Sequence, residues 1–176
     1  MWNICRDAEA SGSLKVNLQG MPNVRETQLR LLTDAGATRD LGAELAGWLL
    51  DPLQPQPPVL LLQGELGAGK TCLVQGLGAA LGIDEPITSP SFALAQHYQG
   101  RRQGQLTHLV HLDLYRLEQP ASADELFAQE EEEARSLGAL LAVEWPERLS
   151  RWPEPAWRVE LQHRQDGRQA VISQPG

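Results

Sequence analysis

The sequence predicts a three-layer α/β fold with a mixed, mostly parallel central sheet and a C-terminal β-hairpin. Three features carry that expectation. Residues 59–62 and 139–143 are continuous apolar runs of the kind buried on both faces of a parallel sheet. Segments with apolar residues at helical spacing alternate with the first strands. Towards the end, residues 158–161 and 170–173 flank a turn signal at Asp166-Gly167, the pattern of a hairpin.

A chain of 176 residues is the size of one domain, expected here over residues 24–176. Residues 1–23 show no sustained period and contain Ser11-Gly12-Ser13 and a Gly20-Met21-Pro22 break, which predicts a disordered extension. An edge strand through Leu14, Val16 and Leu18 is the alternative. Residues 27–32 read as the first strand of the domain. Thr38 is placed to cap a helix carrying Leu41, Leu45, Trp48 and Leu49, which Asp51-Pro52 and a proline-rich loop to Pro58 bring to an end.

After the buried run at residues 59–62, a helix over residues 70–81 puts Leu73, Val74, Leu77 and Leu81 on one face, with Gly82 as its stop. Residues 87–92 hold a Ser-Pro-Ser turn, and residues 99–104 read as a polar, arginine-containing loop. Residues 106–112 form a further strand ending on Asp113. Ser122-Ala123-Asp124-Glu125 fits a capping box for a helix through Leu126, Phe127, Ala134 and Leu137, stopped by Gly138. The run at residues 139–143 ends on Glu144.

Composition narrows the function. The net charge is −8, whereas a free-standing nucleic-acid binder carries basic surface to replace phosphate counterions. The two cysteines, Cys5 and Cys72, are too few for a disulfide framework and fit a reducing cytoplasm. No apolar run reaches the length of a membrane span, and the N-terminus lacks the pattern of a secretory signal. A soluble, cytoplasmic protein is the expectation.

The chemistry begins at Gly64-Glu65-Leu66-Gly67-Ala68-Gly69-Lys70-Thr71, which matches the P-loop pattern at every specified position. Glycines let successive backbone N–H groups turn towards phosphate oxygens, and the following helix directs its positive end to the same place. Lys70 is expected to reach the β and γ phosphates, and the Thr71 hydroxyl to ligate Mg²⁺. Strand before and helix after complete the P-loop NTPase context. GTPases usually read guanine through an Asn-Lys-x-Asp element. No lysine follows Lys70 in this chain, so ATP is expected over GTP, with a weakly selective site as the alternative.

Two acidic residues end strands downstream. Asp113 stands where P-loop proteins place an aspartate that holds Mg²⁺, through a water, or else it caps the next turn. Glu144 is either a metal ligand or water-orienting carboxylate, or a solvated strand end. Trp145 reads more readily as core than as a nucleotide platform. Ser89 and Ser91 fit an ordinary turn better than a γ-phosphate sensor on spacing alone. His97, His108, His111 and His163 share no metal-ligand spacing and read as structural or exposed. The run Gln129-Glu130-Glu131-Glu132-Glu133 is most simply a solvated helix face, with a docking surface for a basic partner as the alternative.

Four segments occur in a telling order: Leu66-Gly67-Ala68-Gly69-Lys70-Thr71, Thr88-Ser89-Pro90-Ser91-Phe92, His111-Leu112-Asp113-Leu114-Tyr115-Arg116-Leu117 and Val143-Glu144-Trp145-Pro146-Glu147. Together with Ala37-Thr38-Arg39-Asp40-Leu41-Gly42, they resemble the TsaE family of bacterial ATPases of tRNA threonylcarbamoyladenosine biosynthesis. The resemblance spans residues 27–161. It implies an ATPase that supports modification of tRNA beside the anticodon without transferring the threonylcarbamoyl group itself. It also implies TsaB and TsaD proteins as partners, with tRNA engaged only indirectly.

On this resemblance Thr38 lies against the nucleotide and Leu66, Gly67, Ala68, Gly69, Lys70 and Thr71 bind its phosphates. Thr71 and Glu144 serve Mg²⁺, Asp113 supports the metal and its water, and Ser91 senses the γ phosphate. The family usually has Ser-Pro-Thr-Tyr where this chain has Ser89-Pro90-Ser91-Phe92, so Ser91 keeps a hydroxyl and Phe92 loses one. The N-terminal extension and the proline-rich loop are longer than the resemblance leads one to expect. Two other functions compete. A P-loop kinase for a small acceptor needs an arginine-rich lid, for which Arg101-Arg102 is the candidate, and a nucleotide-gated binding module needs only negligible turnover.

Overall fold

The computed structural model describes residues 14–16, 27–50 and 58–175. Among these described residues are eight strands: β1 (Leu14–Val16), β2 (Thr27–Leu32), β3 (Val59–Gln63), β4 (Ala95–Arg102), β5 (Gln105–Asp113), β6 (Leu140–Glu144), β7 (Trp157–Arg164) and β8 (Gly167–Ser173). The helices are α1 (Ala35–Leu49), α2 (Lys70–Ala80) and α3 (Pro120–Leu137), with a 3₁₀ turn at Pro146–Arg148. One sheet holds all the strands in the order β1-β2-β8-β7-β3-β6-β5-β4. Its centre, β7-β3-β6-β5, is parallel, and antiparallel strands extend it on both sides.

The expected three layers are present. Strand alternation sorts side chains to two faces. Leu60, Leu62, Leu109, Leu140 and Ala142 join Leu45, Leu73 and Leu77 of α1 and α2 in one core. Leu61, Val110, Leu112, Leu141 and Val143 join Ala123, Phe127 and Ala134 of α3 in the other. β3 is buried on both faces, as its unbroken apolar run requires.

Helices α1 and α2 approach backbone to backbone. A Cβ on Gly42 would stand 2.1 Å from the Leu73 carbonyl oxygen, and one on Gly76 would stand 1.9 Å from that of Arg39. These reciprocal glycines fix the position of α2, whose first turn carries Lys70 and Thr71.

Several local expectations need correction. Asp34, not Thr38, caps α1: its carboxylate accepts from the Ala37 N–H at 2.8 Å, and Thr38 sits inside the helix. Helix α3 opens at Pro120 with Gln119 as an N-cap lacking a side-chain bond, because proline fits the first helical position. Its last residue, Leu137, is 42% exposed. Residues 99–102 are strand, not loop. β4 and β5 meet at Gln103 and Gly104, whose φ values of 49° and 82° are those of a type I′ hairpin turn. In the C-terminal hairpin Gly167 pairs with Arg164, so the turn residues are Gln165 and Asp166.

Glu130 is buried rather than solvated, held by His97 of β4 at 2.6 Å through Nε2. Nδ1 of the same ring meets Glu133 at 3.4 Å, so each nitrogen has its own carboxylate and the imidazole ties β4 to α3. The expected N-terminal extension and the proline-rich loop fall largely outside the described residues. Residues 14–16 pair antiparallel with β2 as the short edge strand given above as the alternative. Among the described residues no helix is long and apolar enough to cross a membrane.

Candidate functional site

Strand β3 runs out of the core into Gly64, and the chain turns there before α2 begins. Gly64, Gly67 and Gly69 have φ values of 137°, 79° and 107°, which side-chain-bearing residues rarely adopt. A Cβ on Gly64 would also lie 2.4 Å from the Leu161 carbonyl oxygen of β7. Gly69 caps α2 without any side-chain bond, so the first-turn N–H groups keep their capacity for an anion.

The loop borders a cleft of about 350 Å³. Lys70 is 4% exposed and donates to the carbonyls of Gly64 at 2.6 Å and Glu65 at 3.1 Å. Its Nζ lies 3.9 Å from the centre of the Trp145 ring. Burial lowers the Lys70 pKa from the ordinary 10.5, against the attraction of Glu144, Glu147 and Asp113.

Parallel pairing of β5 and β6 sets Asp113 beside Glu144 at the ends of the two strands. Both are buried, at 2% and 3% exposure, so Glu144 is not a solvated strand end. Thr71 donates its hydroxyl to Glu144 Oε1 at 2.8 Å, and His111 Nε2 lies 2.8 Å from the same oxygen. Asp113 takes the turn-capping role weighed for it. Its Oδ1 accepts from the Tyr115 N–H at 3.0 Å, a turn cap, while Oδ2 accepts from Ser89 at 2.8 Å and Ser91 at 2.6 Å.

Leu66, Gly67, Gly69, Lys70, Thr71, Ser91, Asp113 and Glu144 all line the cleft. Ala68 is wholly buried behind it. Thr38 stands apart: it is 1% exposed, its hydroxyl donates to the Asp34 carbonyl at 3.1 Å, and its methyl lies behind Gly69. Hydroxyl and carboxylate oxygens of Thr71, Asp113 and Glu144 make an all-oxygen donor set of the kind a hard cation such as Mg²⁺ takes.

Four site residues escaped the sequence reading. Trp145 is half-buried, with φ of 60°; it packs against the core on the α3 side, as expected, and it also covers Lys70 and meets Tyr115 at 4.8 Å between ring centres. Arg168 of β8 donates to the Gly67 carbonyl at 3.2 Å. His111 is buried, as a structural histidine is, with its Nε2 against Glu144. For His111 and Tyr115 the available signal was spacing, two residues either side of Asp113. Arg168 lies 101 positions from Gly67 and carries no local signal.

The family model for "Threonylcarbamoyl adenosine biosynthesis protein TsaE" matches residues 32–171, a span that takes in every residue of the cleft. A Synechocystis sp. protein named tRNA threonylcarbamoyladenosine biosynthesis protein TsaE is 45% identical over 124 residues, covering 69% of this chain and 72% of the relative. Proteins of the same name from Nostoc sp. and Treponema pallidum are each 40% identical, covering 81% and 71% of this chain and 83% and 87% of their own length. The crystal structure of Bacillus subtilus YdiB is similar with a TM-score of 0.62 over 88% of this chain and 90% of that one, at 23% identity, which shows the shared fold. With a P-loop, an Asp113–Glu144 pair before it and this matched span, the chain belongs to the TsaE family.

Proposed function

We propose that this protein is the ATP-binding and ATP-hydrolysing subunit required for threonylcarbamoyladenosine modification of tRNA next to the anticodon. It acts on a transferase complex of TsaB- and TsaD-type partners in the cytoplasm and engages tRNA only indirectly. The observation that carries the reading is the Thr71–Glu144 hydrogen bond, which joins the P-loop to the second acidic strand end across the cleft.

ATP is the substrate. Its phosphates lie along the Leu66 to Thr71 backbone, and Lys70 exchanges its bonds to the Gly64 and Glu65 carbonyls for phosphate oxygens. Thr71, Glu144 and Asp113 would hold Mg²⁺, which would supply positive charge to offset that of the β and γ phosphates. Asp113 and Glu144 accept hydrogen bonds from the attacking water, and their burial strengthens that hold. Ser91 exchanges its bond to Asp113 for the γ phosphate, and Thr38 packs behind the loop that carries the nucleotide.

Nothing favours the kinase alternative. Arg101 donates its N–H to Gly82 beyond the C-terminal end of α2, a helix length away from Lys70, so Arg101-Arg102 is no lid over the phosphates.

Deletion of the gene followed by nucleoside analysis of bulk tRNA tests the biological role, and unchanged threonylcarbamoyladenosine would refute it. Partner-stimulated phosphate release tests the site, with full activity in Lys70→Ala and Glu144→Ala as the refuting result. Full complementation by a hydrolysis-dead variant would instead point to the nucleotide-gated module.

A further inference from the structure

His111 lies on β5 two residues before Asp113, so the two side chains leave the same face of the strand. In the parallel register Ala142 stands opposite His111 and Glu144 opposite Asp113. The small Ala142 leaves room for the imidazole to lie along the sheet towards Glu144, where Nε2 comes within 2.8 Å of Oε1. The ring is wholly buried, and Nδ1 has no hydrogen-bond partner among the described residues.

That orphan nitrogen assigns the tautomer. A hydrogen on Nδ1 would be a buried donor without an acceptor, whereas a bare lone pair there is less costly. Nε2 therefore carries the hydrogen and donates it to Glu144. Oε1 then accepts twice, from His111 on the buried side and from Thr71 on the P-loop side, while Oε2 has no hydrogen-bond partner among the described residues.

We propose that His111 is a positioning residue for Glu144. By occupying Oε1 from behind, it fixes the carboxylate so that the other oxygen is presented to the cleft. The proposal rests on the reading of Glu144 as a holder of Mg²⁺. His111 touches neither nucleotide nor metal. Without it, Glu144 would be anchored only by the Thr71 hydroxyl, whose own oxygen is a metal donor in the same reading.

Three substitutions separate positioning from mere filling. In His111→Gln the amide nitrogen stands as many bonds from the backbone as Nε2 and can make the same donation. His111→Asn reaches only as far as Nδ1, and His111→Leu fills the space without a donor. Mg²⁺ titrated calorimetrically into the ADP-bound protein should bind about 10–100-fold more weakly in the Leu and Asn variants, the usual effect of losing such a supporting bond. The Gln variant should recover most of that loss, and ADP affinity measured without metal should stay at the wild-type level throughout.

Wild-type Mg²⁺ affinity in His111→Leu, or equal loss in the Gln and Leu variants, would overturn the proposal. Glu144→Gln is the control for the underlying reading. If it too binds Mg²⁺ at full strength, the role of Glu144 fails and the positioning role goes with it. If it loses Mg²⁺ while His111→Leu does not, only the positioning role fails. Should the Leu and Asn variants not fold, imidazole nitrogen resonances of the nucleotide-free wild type decide: the Nε2–H form supports the assignment and the Nδ1–H form overturns it.

Discussion

Thr71 and Glu144 are 73 positions apart in the chain and 2.8 Å apart at the site, hydroxyl to carboxylate oxygen. The bond links the first turn of α2, and with it the P-loop, to the end of β6 at the centre of the sheet. Glu144→Ala should lower partner-stimulated ATP hydrolysis by on the order of 10²-fold or more, the usual worth of a carboxylate that handles the reacting water. Thr71→Ser, which keeps the hydroxyl, should retain most activity, and Thr71→Val should lose it. Phosphate release with the partners present reads all three.

Lys70 gives a pH prediction whose sign follows from its burial. Desolvation lowers its pKa below the ordinary 10.5 in the folded chain, against the pull of Glu144, Glu147 and Asp113. Between the lowered value and 10.5 the unfolded chain binds more protons than the folded one, so this group's contribution to stability rises with pH there. Nucleotide phosphates favour the charged amine and reverse the effect. ADP binding should therefore take up a proton in that alkaline window and weaken as pH rises. Calorimetry in two buffers of different ionisation enthalpy should detect the uptake in the wild type and not in Lys70→Ala.

On the proposed reading, Ser91 should separate the triphosphate from the diphosphate. Its hydroxyl rests on Asp113 Oδ2 at 2.6 Å, beside that of Ser89. Ser91→Ala should slow ATP hydrolysis while leaving ADP affinity within about twofold of the wild type, since a bond to a charged group is worth about 1.5–3 kcal/mol only where that bond forms. Ser91→Thr keeps the hydroxyl and should hydrolyse ATP at near the wild-type rate. Equal loss of ADP and ATP affinity in Ser91→Ala would show that the residue only supports the loop.

What could be read from the chain depended on the range of the physics. The P-loop was legible because its glycines, lysine and threonine act over one turn, and the strand and helix around it announce themselves by periodicity. The strand ends at Asp113 and Glu144 were legible as positions, but pairing β5 with β6 is a long-range event that no local pattern encodes, so the choice between metal ligand and solvated end stayed open. Local competition explains other misses. Asp34 and Thr38 are both good caps, and only Asp34 has an open N–H three residues on. Gln103 is an uncommon residue at positive φ, so the hairpin of β4 and β5 looked like a polar loop. Arg168 reaches the P-loop only because β8 folds back beside β7.

The two helices behind the site offer a paired test with opposite signs. Gly76 of α2 faces the Arg39 backbone so closely that a Cβ would stand 1.9 Å from its carbonyl oxygen, and backbone cannot swing aside as a side-chain tip can. Gly76→Ala must push α2 away from α1, and overpacking of this kind destabilises by about 1–3 kcal/mol and sometimes more. Because α2 begins with Lys70 and Thr71, the same displacement should also weaken ADP binding. Gly47 is an exposed glycine in α1 whose added Cβ would meet nothing within 4 Å. Gly47→Ala should therefore be neutral or stabilising by up to about 1 kcal/mol, the difference in helix propensity. Thermal unfolding of both variants checks the signs, at roughly 2–4 °C per kcal/mol for a chain of this size. A melting point for Gly76→Ala at or above that of Gly47→Ala would mean that the close approach of α1 and α2 does not set the position of the P-loop helix.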